Sequence, residues 1–213
     1  MNRQTDWCII VPVSATDAAK TRLRPLGEMR TALARSLAHD VLAAVAASPA
    51  VGRILLVGDG SLLPAAAAEH RRTELVNVPV AELNAAITAA ESHARALGYQ
   101  RVAVVVADIA CVRSRDIDAL LSRARSITRG YVHDHRGGGT TVLTTTGPAL
   151  GPKFGPGSAA RHRSSGAVSL EASARVRLDI DDPADVTVAA AYGLGPATLA
   201  TLAAAGRGSL HAT

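Results

Sequence analysis

Residues Arg101 to Cys111 read RVAVVVADIAC. The apolar run Val102 to Val106 is too short for a buried helix and suits a central strand covered on both faces. Asp108 follows just past the carboxyl end of that strand, where an open α/β sheet places its ligands. An acid at this point either caps a helix or turn, or presents its charge to a ligand.

The segments on either side supply what such a strand needs. Trp7 to Val13 reads as a first strand, Ser14 to Pro25 as a loop containing AKTRL, and Glu28 to Ala47 as a helix. In that helix Met29, Leu33, Leu37, Val41 and Val45 recur every four residues and fall along one face. Val51 to Val57 predicts a second strand, Leu62 to Arg72 a short helix, Glu74 to Val76 a short strand, and Leu83 to Leu97 a helix stopped by Gly98. After the Asp108 strand, Ser114 or Asp116 can cap a helix running to about Ile127. Strand and helix alternate, as in a mostly parallel sheet wrapped by helices, so the chain up to Gly130 reads as a Rossmann-like α/β unit.

Farther on, Gly130 to His133 and Thr140 to Thr145 read as strands joined by a Gly-rich turn over His135 to Gly139. The prolines and glycines of Gly147 to Gly157 exclude regular structure and indicate a shaped loop. Val176 to Leu178 is expected as a strand leading into Asp179, Ile180, Asp181 and Asp182. Asp182 before Pro183 starts a helix to Tyr192, and Pro196 starts a last one ending near Gly206. No repeat or long linker divides the chain, and residues 1–213 are expected to form one domain.

Composition narrows the partners. The formal charge of +5 points to an anion, and with aromatics at 2% there is no platform for stacking bases, so a small phosphate compound is expected rather than nucleic acid. Cys8 and Cys111 make neither a metal spacing nor a disulfide framework and read as buried thiols in a reducing compartment. The run Trp7 to Val13 is too short, and interrupted by Pro12, to serve as a signal peptide, and no stretch is apolar enough to span a bilayer. A soluble, cytoplasmic protein without a membrane partner is expected.

Neither a GxGxxG nor a GxxxxGK[ST] pattern follows a predicted strand, which removes the common nicotinamide and nucleoside-triphosphatase readings. Lys20 and Arg22, two residues apart after the first strand, can grip a triphosphate; otherwise they are a solvated loop. Asp179 and Asp181 alternate about Ile180, so both can face one side, and a neighbouring Asp108 would make three carboxylates that suit Mg²⁺ held partly by substrate phosphates. The plainer alternative is that Asp181 and Asp182 cap the final helices. In KFGPGSAARHRSSG, Lys153 to Gly166, the glycines admit a ligand to backbone N–H groups, Ser158 can cap a helix, and Arg161, His162 and Arg163 add positive charge. His162 is either structural or part of an anion pocket. His39, His70, His93 and His211 read as surface or packing residues, while His133 and His135 are undecided.

These pieces together resemble the 2-phospho-L-lactate or phosphoenolpyruvate guanylyltransferases of coenzyme F420 biosynthesis. The resemblance lies in AKTRL at Ala19 to Leu23, LNAAITAA at Leu83 to Ala90, Asp108, GGTTVL at Gly138 to Leu143, FGPGSAARHRSSGA at Phe154 to Ala167 and DIDDPADV at Asp179 to Val186. It implies a Rossmann-like nucleotidyltransferase fold of the GT-A-like kind, with a mostly parallel mixed sheet flanked by helices. It implies an enzyme that joins GMP from GTP to a three-carbon phosphate and releases pyrophosphate. Carried over by position, Asp108, Asp179 and Asp181 would hold Mg²⁺, with Asp108, Lys20 and Arg22 as the catalytic set. Thr140, Gly155, Ser158 and His162 would line the acceptor pocket, Lys20 and Arg22 would meet the triphosphate, and Asn84 would lie near guanine or ribose. A homodimer and a hand-off to a downstream transferase are left open by the resemblance.

The chain departs from the family's usual pattern at Ser14, where a lysine is common, and at Ala107 to Ala110, where GDLP is common. Gly157 replaces an acid, and the loop before Leu83 is shortened. The change at position 14 removes a charge from the nucleotide site, and Ala107 puts a methyl group where backbone approaches phosphate. Two other readings therefore stay beside the first: a diverged homologue that binds nucleotide without turnover, and a nucleotidyltransferase for another phosphorylated acceptor.

Overall fold

Strand β1, Trp7–Val13, lies inside the sheet, and its alternation decides which helix covers which face. The computed structural model describes residues 6–13, 29–58, 72–76 and 82–209. Within them β1 is paired in parallel with β2, Val51–Gly58, and with β4, Arg101–Val105. Strand β3, Thr73–Val76, extends the sheet beyond β2, again in parallel. On the other side β6, Thr140–Thr146, runs antiparallel to β4, followed by β5, Arg129–His133, and the short β7, Val168–Ser169. The order is β3-β2-β1-β4-β6-β5-β7, and β6 alone among these strands runs against the others. The mixed sheet flanked by helices agrees with the sequence-based expectation.

Parallel neighbours need crossovers, and the helices provide them. Helix α1, Met29–Ala46, follows β1; α2, Leu83–Ala96, precedes β4; α3, Ser114–Ala124, follows it. Trp7, Ile9 and Val11 point to one face, where Val41, Val45 and Leu42 of α1 and Ile117 and Leu121 of α3 meet them. Cys8 and Ile10 point to the other, against Ala86, Ile87, Ala90 and Ala94 of α2. Each face therefore buries a separate apolar layer, as the run Val102 to Val105 in β4 demands. Both cysteines are free and buried, and burial pushes Cys8 up to about 12 and Cys111 up to about 11.

The α1 stripe is as expected, with Leu33, Leu37, Val41 and Val45 all fully buried. Several other expectations change. Helix α3 is capped neither by Ser114 nor directly by Asp116: the cap is Arg113, whose backbone N–H donates to the Asp116 carboxylate at 3.0 Å, and the helix ends at Ala124. Ser158 does not cap α4, Ser158–Ser164; that position belongs to Gly157, whose φ of +70° a residue with a Cβ adopts with strain. Val176 to Leu178 is not a strand. Ala174–Arg177 form one helical turn, α5, Leu178 is extended, and residues 179–181 belong to no helix or strand. Asp182 caps α6, Pro183–Tyr192, accepting from the N–H groups of Ala184 and Asp185, and α7 spans Pro196–Ser209. The expected helix Leu62 to Arg72 and the loop carrying Ser14, Lys20 and Arg22 fall almost wholly outside the described residues. No helix among the described residues is long and apolar enough to cross a membrane.

Candidate active site

The register of β4 with β6 fixes the centre of the site. Val105 lies opposite Val142, and the Val106 N–H donates to the Thr141 carbonyl at 3.0 Å. Thr140, at the start of β6, is thereby set beside the carboxyl end of β4, where the chain turns through Ala107 and Asp108. The same end receives the segment after α5, because the Ile180 N–H donates to the Asp108 carbonyl at 3.2 Å. Ile180 is fully buried with Ala110, Cys111 and Leu178, so its neighbours Asp179 and Asp181 stand away from that apolar cluster.

Asp108, Asp179 and Asp181 are thus brought within electrostatic reach although no strand carries the last two. Burial, then the carboxylates of Asp108, Asp181 and Asp134, push the Asp179 carboxyl up to about 7. Clustered hard oxygen donors whose repulsion a cation would relieve fit Mg²⁺. Among the described residues no three His, Cys, Asp or Glu side chains close into a ready-made metal cage.

The loop Gly147 to Gly157 forms the other wall, and it is held by side chains rather than by its own hydrogen bonds. Asn84, at the start of α2, pairs with both backbone groups of Phe154: its Oδ1 accepts from the N–H at 2.7 Å and its Nδ2 donates to the carbonyl at 3.2 Å. Arg161 donates to the carbonyls of Lys153 and Phe154, at 2.9 and 3.2 Å, and also to that of Pro156. Arg129 donates to the Leu150 carbonyl at 2.9 Å, while both oxygens of buried Glu91 accept from the Leu150 N–H. Gly155 has a φ of +116° and its Cα faces the Arg161 guanidinium, where a Cβ would approach to 3.3 Å.

His162 lies behind this wall rather than on it. Its Nε2 accepts the Lys153 N–H at 2.9 Å, so Nδ1 carries the proton and donates to Thr140 Oγ1, also at 2.9 Å. The ring has no exposed surface and packs edge-on against Phe154, with centroids 5.2 Å apart. Burial, reinforced by Arg129, Arg161 and Lys153, pushes it down to about 4, which keeps it neutral. Both nitrogens are thus spent inside the protein, which makes His162 a strut for Thr140 and Lys153 instead of a group that meets a substrate. Ser158 Oγ donates to Thr140 Oγ1 at 3.1 Å. Having accepted two hydrogen bonds, the Thr140 hydroxyl keeps its own proton as a donor for an oxyanion.

The turn between β5 and β6 brings in residues that the sequence left undecided or did not single out. Asp134 closes it by accepting from the N–H groups of Gly138 and Gly139 at 3.0 and 2.7 Å. His135 Nδ1 then lies 3.0 Å from Asp179 Oδ1, and Arg136 donates to Asp182 at 2.8 Å and to Asp185 at 2.7 Å. Asp185 also accepts from the N–H groups of Asp181 and Asp182. The only sequence signal for these contacts was an HR pair in a Gly-rich turn, and it did not name their partners. Lys20 and Arg22 lie outside the described residues.

This mixed sheet flanked by helices, with Asp108 just past the carboxyl end of β4, defines a nucleotidyltransferase-like fold. A solved 4-diphosphocytidyl-2C-methyl-D-erythritol synthase shares it, with a TM-score of 0.58 at 14% identity over 89% of this chain and 99% of that one. Residues 7–202 match the family described as "Guanylyl transferase CofC like", and the chain belongs to that family. It is 40% identical to the phosphoenolpyruvate guanylyltransferase of Geodermatophilus obscurus, over 94% of this chain and 96% of that protein. The enzyme of the same name from Mycobacterium leprae is 36% identical, over 93% of this chain and 94% of the relative.

Proposed function

We propose that this protein transfers GMP from GTP to phosphoenolpyruvate, or to a close three-carbon phosphate such as 2-phospho-L-lactate, and releases pyrophosphate in coenzyme F420 biosynthesis. The observation that carries the proposal is the junction of β4 and β6, where the Val106 N–H donates to the Thr141 carbonyl and Thr140 starts its strand next to the turn that bears Asp108. The reading is that the Thr140 hydroxyl and its loop take one phosphate while the acids take cation-bridged phosphates.

In the reaction an oxygen of the acceptor's phosphate attacks the α-phosphorus of GTP. A new P–O bond forms as the bond to the bridging oxygen of the β-phosphate breaks, and that oxygen leaves with the electron pair as pyrophosphate. The attacking oxygen is already anionic, so no general base is needed and the protein's task is alignment and charge neutralisation. Thr140, Ser158 and the backbone of Gly155 position the acceptor; Lys20 and Arg22 engage the triphosphate. Held by Asp108, Asp179 and Asp181, Mg²⁺ would supply neutralisation of the phosphate charge. Asn84 and His162 act through the loop: the first pins Phe154, the second braces Thr140. The product joins the two phosphates in a phosphoanhydride, an activated linkage that suits direct hand-off to a transferase in the cytoplasm.

The test is pyrophosphate release from GTP, and from ATP for comparison, with phosphoenolpyruvate and with 2-phospho-L-lactate. Release with GTP and one of these acids is expected. Folded protein that binds GTP yet releases none with either acid would be the diverged, non-catalytic homologue.

A further inference from the structure

We infer that His135 is a positioning residue for Asp179, fixing the carboxylate so that one of its oxygens is kept for the cation. The inference rests on the proposed reading of Asp108, Asp179 and Asp181 as Mg²⁺ ligands. His135 Nδ1 lies 3.0 Å from Asp179 Oδ1, and its Nε2 lies 3.3 Å from Asp185 Oδ1. With a cation bound, the Asp179 carboxylate is ionised and only accepts, so in that state its bond to His135 places the proton on Nδ1.

The ring's backbone belongs to the turn closed by Asp134, and its far edge lies 3.3 Å from Asp185, which is nearly fully buried and anchored by the N–H groups of Asp181 and Asp182. Arg136 repeats the connection with contacts to Asp182 and Asp185, so the turn is docked on the acidic loop independently of His135. Asp179 gains from His135 what its own segment lacks. It sits on a stretch that belongs to no strand or helix, and neighbouring acids repel it. Occupying Oδ1 limits rotation of the carboxylate and leaves Oδ2 as the metal-facing oxygen. Groups of this kind, one bond removed from a ligand, set metal affinity by a factor of about 10–100.

The two ring nitrogens can be separated by substitution. Asparagine at 135 puts an amide donor near the place of Nδ1, towards Asp179; glutamine puts one near the place of Nε2, towards Asp185. Binding of Mn²⁺, as a probe for Mg²⁺, is measured by electron paramagnetic resonance on the GTP-saturated protein without acceptor. His135→Ala and His135→Gln are expected to weaken Mn²⁺ binding about tenfold or more, and His135→Asn to stay within about threefold of the parent. Melting temperatures confirm that each variant is folded, and if His135→Ala is not, the Asn and Gln pair carries the comparison. Equal affinity in all variants overturns the inference, as does rescue by Gln and not by Asn, which would leave His135 only the docking of the turn. Asp108→Asn separates the two levels. If the parent binds Mn²⁺ and Asp108→Asn does not, indifference at His135 overturns this inference alone. A parent that does not bind Mn²⁺ overturns the metal reading and the inference with it.

Discussion

Asp179 carries a conflict that a measurement can read directly. Its carboxyl is raised to about 7 in the folded chain, from 3.8 in the unfolded one, by burial and by neighbouring acids. Below about pH 4 both states hold the proton and folding is not penalised. Between about pH 4 and 7 the unfolded state releases a proton that the folded state retains, so stability falls as pH rises, and the loss is complete above the folded value. In protein stripped of divalent cations, the melting temperature should therefore decline across this window. Asp179→Asn should flatten the decline, and GTP with Mg²⁺ should raise the melting temperature most at its upper end. A parent and an Asn variant with parallel profiles would remove Asp179 from the charge cluster. Asp108 was legible in the sequence because a buried strand pointed to it. His135 was not, since a turn histidine shows its partner only when the chain has folded 44 residues of separation into contact.

At the scale of elements, the loop Gly147 to Gly157 behaves as a part clamped from outside. Asn84 supplies one clamp, and its side-chain amide is consumed by Phe154 and by Glu82. Asn84→Ala should raise the acceptor KM about tenfold, at a cost of about 1.4 kcal/mol, while the GTP KM stays within about twofold. A rise in the GTP KM alone would return Asn84 to the nucleotide, where the sequence resemblance had put it. The contrast explains what periodicity reveals. Strands β1 and β4 and helix α1 were legible because burial on two faces, or along one stripe, imposes a pattern on consecutive residues. The loop's form depends on Asn84, Glu91 and Arg129, which lie 70, 59 and 21 residues from the groups they hold, and on Arg161 in the next helix, and such contacts leave no period. Val176 to Leu178 misled for the opposite reason, since Val176 and Leu178 are both buried, as alternation requires, but beside a helical turn.

For the whole molecule, the end of the chain is fastened back onto its beginning, close to the site. Asp40 of α1 is buried, and its two oxygens accept from the N–H groups of Ala197 and Thr198 at 3.0 and 2.9 Å, capping α7 across 157 residues of sequence. Just before that helix the Gly195 N–H donates to the Ala110 carbonyl at 3.1 Å, two residues beyond Asp108, so α7 also holds the turn that bears the acid. A Cβ on Gly195 would come within 2.1 Å of the Asp40 carboxyl carbon, leaving no room for any other residue unless Asp40 gives way. Asp40→Ala should cost about 2 kcal/mol, from a lost cap and two N–H groups left in a buried position. For a chain of this size that lowers the melting temperature by about 4–8 °C. Gly195→Ala should do the same by displacing the carboxylate rather than deleting it. Because both substitutions break one contact, the double variant should lose little more than either single one, a non-additivity that thermal melts of all three measure. Additive losses would mean that Asp40 and Gly195 stabilise the molecule separately.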